Sequence, residues 1–374
     1  MSRRHALLSA SSADRWLHCP PSARLCEKAE QEAASDYAAE GTDAHALCEY
    51  TLLKALGRKA RDPTEDLGWY NAQMQDCADE YAEYVMGLYE TAKQSGTEPA
   101  VLVEQRLDYS RYVQSGFGTA DCIIAADWKL HVVDFKYGMG IKVDAQENPQ
   151  MMLYALGALE IFEGIYDTET VSMTIFQPRL NNVSVWTISR DDLYTWAKNT
   201  LQPAAELAWN GEGEQHGGRW CQFCRVKATC RERARLNLEL AKYDFQDPPL
   251  LEDEEISDIL EKADALISWA KDVQEYALKE ALGGHGWPGW KLVAGRSARK
   301  FRDEQAAAAA VQAAGYDPYE QKMLSLTALE RMLGKKRFGE LLNDYVYKPD
   351  GKPTLVPETD RRPTITPADD FKED

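Results

Sequence analysis

The chain has 374 residues, 44% of them hydrophobic and 28% charged, with a formal net charge of −18. That is enough for one large domain or two ordinary ones with a sizeable core, and no apolar run approaches the length of a membrane span. The acidity argues against a surface that wraps nucleic acid through bulk positive charge, but not against an enzyme that confines its cations to one channel.

The N-terminus, MSRRHALLSASSADRWLHCPP, is basic without a hydrophobic stretch, so a signal peptide is not expected and a cytoplasmic location is. In a reducing compartment, eight cysteines point to metal binding, chemistry or core packing rather than disulfides. Residues 22–94 space apolar side chains three and four apart, which predicts helices over ARLCEKAEQEAA, EGTDAHALCEYTLLKALG and NAQMQDCADEYAEYVMGLYETAKQ. The period then changes to that of strands in AVLVEQRL, GFGTADCIIAA and KLHVVDFKY. A helix follows at NPQMMLYALGALEIF, then strands at VSMTIFQP and NNVSVWTI, then a helix at SRDDLYTWAKNTLQPAAELAW. This order predicts an α/β fold, a mixed sheet with helices on its faces.

A Gly- and Cys-rich segment spans 211–230. Beyond about residue 240 the chain passes through an acidic Pro-containing linker into a long amphipathic helix, ISDILEKADALISWAKDVQEYALKEAL. Further helices are expected at EQAAAAAVQAAGY and LTALERMLGKKRFGELL. The charged, Pro-rich end is expected to be disordered. The predicted division is 1–240 for the α/β domain, 241–347 for a helical extension and 348–374 for the tail.

Asp134 and Lys136 end the third strand. Side chains two apart share a strand face, so the acid and the base project together, opposite Val133 and Phe135. Taken alone, an ion pair at a strand end explains them. A second acid, Asp121 in GTADC, lies on the neighbouring predicted strand. Paired carboxylates suit a hard divalent cation, Mg²⁺ or Mn²⁺. A lysine beside an attacking water suits charge stabilisation during in-line displacement at phosphorus. His45 sits in EGTDAH at a predicted helix start, and Gln150 and Tyr154 lie four apart on the helix after the lysine strand. Glu104, on the first strand, reads as a solvated strand residue, with a further acid of the site as the alternative.

This set, in this order, resembles the RecB-like branch of the PD-(D/E)XK nuclease superfamily over roughly residues 10–235. The matching residues are Gly41, Thr42 and His45; Gly118 and Asp121; Asp134 and Lys136; and Gln150 and Tyr154. The resemblance implies a restriction-endonuclease-like core and a metal-dependent deoxyribonuclease, with exonuclease action expected. His45, Asp121 and Asp134, with the backbone carbonyl of Phe135, would hold Mg²⁺ or Mn²⁺. Lys136 would position the attacking water. Gln150 and Tyr154 would contact the nucleic-acid backbone or brace the lysine.

Cys221, Cys224 and Cys230 form C-x₂-C-x₅-C in RWCQFCRVKATCRER. Three soft ligands this close want a metal or cluster and a remote fourth. Cys19 is the best candidate and Cys26 the competitor. One cysteine ahead of the core and this triplet behind it resemble the AddB-type and CRISPR-adaptation nucleases. That implies a 4Fe–4S cluster stapling the two ends of the domain, and the residue types themselves also admit zinc. Cys48, Cys77 and Cys122 read as buried small hydrophobes. Arg219, Arg225, Lys227, Arg231, Arg233 and Arg235 surround the triplet, as a phosphate-binding patch or as a solvated helix face.

The C-terminal part carries no assignable motif. Trp287 and Trp290 are expected to pack a small helical subdomain rather than to stack on bases. The whole chain looks like a phage and prophage family joining such a nuclease to a helical extension. That implies DNA as partner, beside a phage single-strand-binding or annealing protein. The rival readings are a non-catalytic DNA-binding or scaffold module, and a zinc-stapled protein with no nucleic-acid role.

Overall fold

A computed structural model describes residues 6–29, 36–94, 96–239, 251–294, 301–319, 323–347 and 356. The chain divides into two compact units, Met1–Lys279 and Glu280–Asp374.

In the first unit the described strands form one five-stranded sheet in the order β1-β2-β3-β4-β5. The strands are β1 (Ala100–Asp108), β2 (Phe117–Ala126), β3 (Trp128–Phe135), β4 (Thr168–Gln177) and β5 (Asn182–Ser189). Neighbours run antiparallel except β3 and β4, which are parallel. A parallel pair needs a crossover, and α5 (Pro149–Phe162) supplies it. Asn148 caps α5 by accepting from the Gln150 and Met151 amides, with Pro149 at the first helical position. The middle of the sheet is apolar on both faces, as a strand covered on both sides requires. Leu130, Val132 and Ile123 face a core shared with α5, and Val133, Phe135 and Ile124 face a second core under α3 (Asp36–Ala55) and α4 (Ala72–Lys93). Cys48, Cys77 and Cys122 are buried in that second core, as their helical and strand periods predict.

Two helical expectations need correcting in detail. EGTDAH lies well inside α3, so His45 stands in its third turn rather than its first, and Thr42 back-bonds to the Ala38 carbonyl at 2.9 Å instead of capping. SRDDLYTWAKNTLQPAAELAW is not one regular helix: α6 (Arg190–Trp196) passes through a π segment at Ala197–Leu201 into α7 (Gln202–Asn210), where Pro203 cannot donate.

Short helices flank the domain: α1 (Ala13–His18) and α2 (Ser22–Lys28) at one end of the chain, α8 (Arg231–Leu238) after the cysteine triplet. The long helix α9 (Asp253–Leu282) carries Asp272, which binds Lys227 at 2.7 Å and buried Arg233 at 2.6 Å. Burial alone would raise the Asp272 carboxyl, but these two partners outweigh it and hold it below the usual carboxylate range. The first unit therefore takes in most of α9, which the sequence groups with the C-terminal extension. Asp272→Ala leaves Arg233 buried without its counter-charge, and a loss of about 3–5 kcal/mol in urea unfolding is expected. An unchanged midpoint would mean that α9 is not anchored there.

His131 is buried on β3 between Ile124 and Ser172, and its Nδ1 has no partner among the described residues. Burial lowers its pKa to about 4, with Lys129 adding to the effect. The folded state thus keeps the ring neutral where the unfolded state protonates it. The full stability is present above about pH 6.5 and is lost as pH falls toward 4, about 3 kcal/mol for this one ring. His131→Leu is expected to shift the acid-unfolding midpoint downward, read by circular dichroism; an unshifted midpoint would clear His131 of the effect.

In the second unit, α10 (Glu304–Ala313) is capped by Asp303 and α11 (Leu326–Leu333) by Ser325. Gly334, at φ +76°, breaks the expected helix at 326–342 and separates α11 from α12 (Lys335–Leu342). The packing expected of Trp290 is not found: it is 84% exposed, and no hydrophobic residue is buried among the described residues of this unit. Trp287 meets His285 edge-on. The linker at 241–250, most of RSARKFR and the tail expectation at 348–374 lie outside the described residues, Val356 excepted.

Candidate metal and hydrolytic site

The site forms where the sheet opens. The β2–β3 ladder runs as far as Cys122 opposite Val133 and stops one pair short of Asp121 and Asp134. Asp121 fills the gap, its Oδ2 accepting the Phe135 amide hydrogen at 2.6 Å. Its Oδ1 lies 3.1 Å from His45 Nδ1, which reaches in from α3. On the other side, the ladder pairs Val103 with Cys122 and Gln105 with Ala120, which leaves Glu104 across from Asp121. Glu104 has φ +48°, a left-handed conformation that costs a non-glycine residue about 1–3 kcal/mol. One donor atom each from His45, Glu104 and Asp121 falls within 4.8 Å of the others. Glu104 is therefore not the solvated strand residue that the sequence suggests. Its only signal is the β1–β2 register, which no local pattern reveals.

Asp134 belongs to an adjoining network. Lys136 Nζ lies 2.9 Å from Asp134 Oδ2 and donates to Gln150 Oε1 at 3.3 Å. Gln150 Nε2 donates to Asp134 Oδ1 at 3.1 Å and to the Tyr154 hydroxyl at 3.2 Å. Of the two roles expected for Gln150 and Tyr154, bracing the lysine is thus the one visible. Gly118 is required here, because a Cβ would stand 2.8 Å from Tyr154 Cε1.

The charges are strongly coupled. Burial works against the His45 cation, but the Asp121 carboxylate outweighs it and raises the imidazole to about 9. Burial would likewise raise Asp121, yet His45 and the Phe135 amide hold it below the usual range. Asp134 is raised by burial, with Asp121 adding to it against the opposing pull of Lys136. Burial opposes the Lys136 cation, and Asp134 more than restores it, so the lysine stays charged.

The cysteines gather at a separate place. Cys19, Cys221, Cys224 and Cys230 line one pocket together with Arg15. Cys26, the competitor, has its Sγ 3.6 Å from that of Cys224. The two chain segments meet through other groups as well: Arg24 Nε donates to the Trp209 carbonyl at 2.6 Å, and His18 stacks on Trp220 at 4.2 Å. Of the surrounding cations, Arg219, Arg225, Arg231 and Arg235 are exposed, as a phosphate patch or a solvated face would be, and Arg233 is buried. Arg233 and Lys227 bind Asp272, Arg235 binds Glu232 and Glu239, and Arg225 donates to the Cys26 carbonyl.

Among the described residues no helix is long and apolar enough to cross a membrane. A chain of solved structure titled "Crystal structure of SSO0001" matches at 15% identity, over 52% of this chain and 98% of that one, with a TM-score of 0.24, too low to bear on fold or chemistry. The family described as "Protein of unknown function (DUF2800)" matches residues 5–363. With nearly its whole length matched, the chain belongs to the DUF2800 family.

Proposed function

We propose that the chain is a Mg²⁺- or Mn²⁺-dependent DNA nuclease of the PD-(D/E)XK type. The observation that carries this reading is the meeting of His45, Glu104 and Asp121 beside the ion pair of buried Asp134 with half-buried Lys136, at the opened edge of two strands. The donor set fits the metal: carboxylate oxygens and one imidazole, close enough to share one hard cation. When bound, such a cation supplies Lewis-acid stabilisation of charge on a phosphodiester. His45 would give up its proton to serve as a ligand. Lys136, held between Asp134 and Gln150, is a fixed cation that orients water and stabilises charge at phosphorus; its raised pKa makes it a poor proton acceptor. Asp134 keeps the lysine aimed, and Gln150 ties both to Tyr154.

A structural 4Fe–4S cluster at Cys19, Cys221, Cys224 and Cys230 belongs to the same reading, with zinc as the alternative. Four cysteines line one pocket, and no three of their sulfurs come within 4.8 Å of one another, a spacing that suits the larger all-cysteine cluster better than tetrathiolate zinc. Exonuclease action and a place in phage-type recombination or replication rest on the family resemblance of the motifs.

The test is degradation of end-labelled single- and double-stranded DNA by protein purified without oxygen. Cleavage that requires Mg²⁺ or Mn²⁺ and stops with chelator is expected. Tight DNA binding without cleavage in either metal would favour a scaffold that retains the fold, and no binding at all would overturn both.

A further inference from the structure

Arg179 lies in the turn Pro178–Leu180 that follows β4, and its side chain is only 11% exposed. Its guanidinium carbon stands 4.4 Å over the Tyr137 ring, and one terminal nitrogen donates to Glu40 at 3.2 Å. Its Nε is buried with no acceptor among the described residues. Both neighbours adjoin site residues along the chain. Tyr137 directly follows Lys136, and Glu40 precedes His45 by five residues on α3. The Lys136 amide donates to the Phe176 carbonyl at 2.9 Å, so the ends of β3 and β4 lie side by side.

A buried donor without an acceptor costs about 1–3 kcal/mol and is uncommon. Here the guanidinium carbon stands over a ring and one terminal nitrogen is steadied by a single carboxylate. That leaves part of a planar fork unused, and such a fork matches two oxygens of a phosphate.

We propose that Arg179 is a phosphate clamp, taking the non-bridging oxygens of a backbone phosphodiester next to the one cleaved, with Glu40 holding the guanidinium in place. The inference rests on the nuclease reading. A purely structural role, tying the β4 turn to α3 through Glu40, is the competing explanation, and the two can be told apart.

The experiment measures binding of a 20-nucleotide oligodeoxythymidine by fluorescence anisotropy, with Ca²⁺ in place of Mg²⁺, across a salt series. Wild type is compared with Arg179→Met, Arg179→Lys and Glu40→Gln. Arg179→Met is expected to bind about tenfold more weakly at 0.1 M salt, with the slope of log K against log salt reduced by about 0.7, one phosphate contact. Arg179→Lys keeps the charge and loses the fork, so its binding weakens while the slope stays. Glu40→Gln keeps the slope. If Arg179→Met fails to fold, the lysine variant carries the test through its lost affinity. A wild-type slope in Arg179→Met, undiminished binding in Arg179→Lys, or a Glu40→Gln variant that reproduces Arg179→Met would overturn the clamp. Should wild type bind and cleave DNA while Arg179→Met keeps its slope, only the clamp falls; should wild type bind no DNA, the nuclease reading falls with it.

Discussion

Lys136→Ala is expected to lower metal-dependent DNA cleavage by about a thousandfold, measured as single-turnover rate with metal and DNA saturating. The magnitude follows from what is removed, a fixed charge aimed at the developing transition state, and groups of that kind are worth about 10²–10³-fold each. Loss of fold could mimic the effect, and the buried network says how to separate the two. Without the ammonium, Asp134 is left with Gln150 alone and no counter-charge. Its carboxyl, already raised by burial, rises further above its unfolded value. A group whose folded pKa is raised is most stabilising when protonated, so the variant's loss of stability against wild type should be smaller near pH 5 than at pH 7. Lys136→Ala with Asp134→Asn should recover stability at pH 7 and stay inactive. A double variant that regains cleavage, or a single variant as active as wild type, would show that the pair serves the fold and not the chemistry.

Cys224→Ser is expected to give colourless, poorly soluble protein with its iron lost. A ligand set absent from the unfolded chain contributes its binding free energy to folding, about 10–16 kcal/mol for structural zinc in small fingers. Removing one of four thiolates forfeits much of such a contribution. The pocket makes the variant informative because Cys224 also contacts Cys26. With Cys19 as the fourth ligand, Cys26→Ser should keep its visible absorbance and iron content while Cys19→Ser loses both. Elemental analysis separates iron from zinc in the same preparation. A stable, fully active Cys224→Ser protein would refute the structural cluster.

Much of the α/β core was legible in the sequence because its elements obey one period each. The strand pattern of KLHVVDFKY places Asp134 and Lys136 together on the α5 side, and the helical spacing of Gln150 and Tyr154 puts them on one face. What stayed hidden depends on register and on distant partners. Glu104 looks like any exposed strand residue until β1 is laid against β2. The cations around the cysteines look like a patch until Asp272, some forty residues on, is seen to bind two of them. Trp290 looks like core because tryptophan usually is, but the described residues of its unit offer no buried apolar surface to receive it. His45 meets Asp121 despite the wrong helix start, since that contact depends on how α3 packs on the sheet and not on the cap.

The bond from Arg24 to the Trp209 carbonyl joins residues 185 apart. During synthesis, therefore, α2 leaves the ribosome long before Trp209 exists for Arg24 to bind. At about 5–20 residues per second it waits roughly ten seconds or more. Closing so long a loop is slow and follows assembly of the central sheet rather than leading it. A chain interrupted between the sheet and α7 would have β1 to β5, every residue of the candidate site and the α5 surface on which Trp16 packs, yet not the carbonyl that Arg24 binds. The N-terminal segment is thus placed in two stages, its apolar residues first and its Arg24 anchor later.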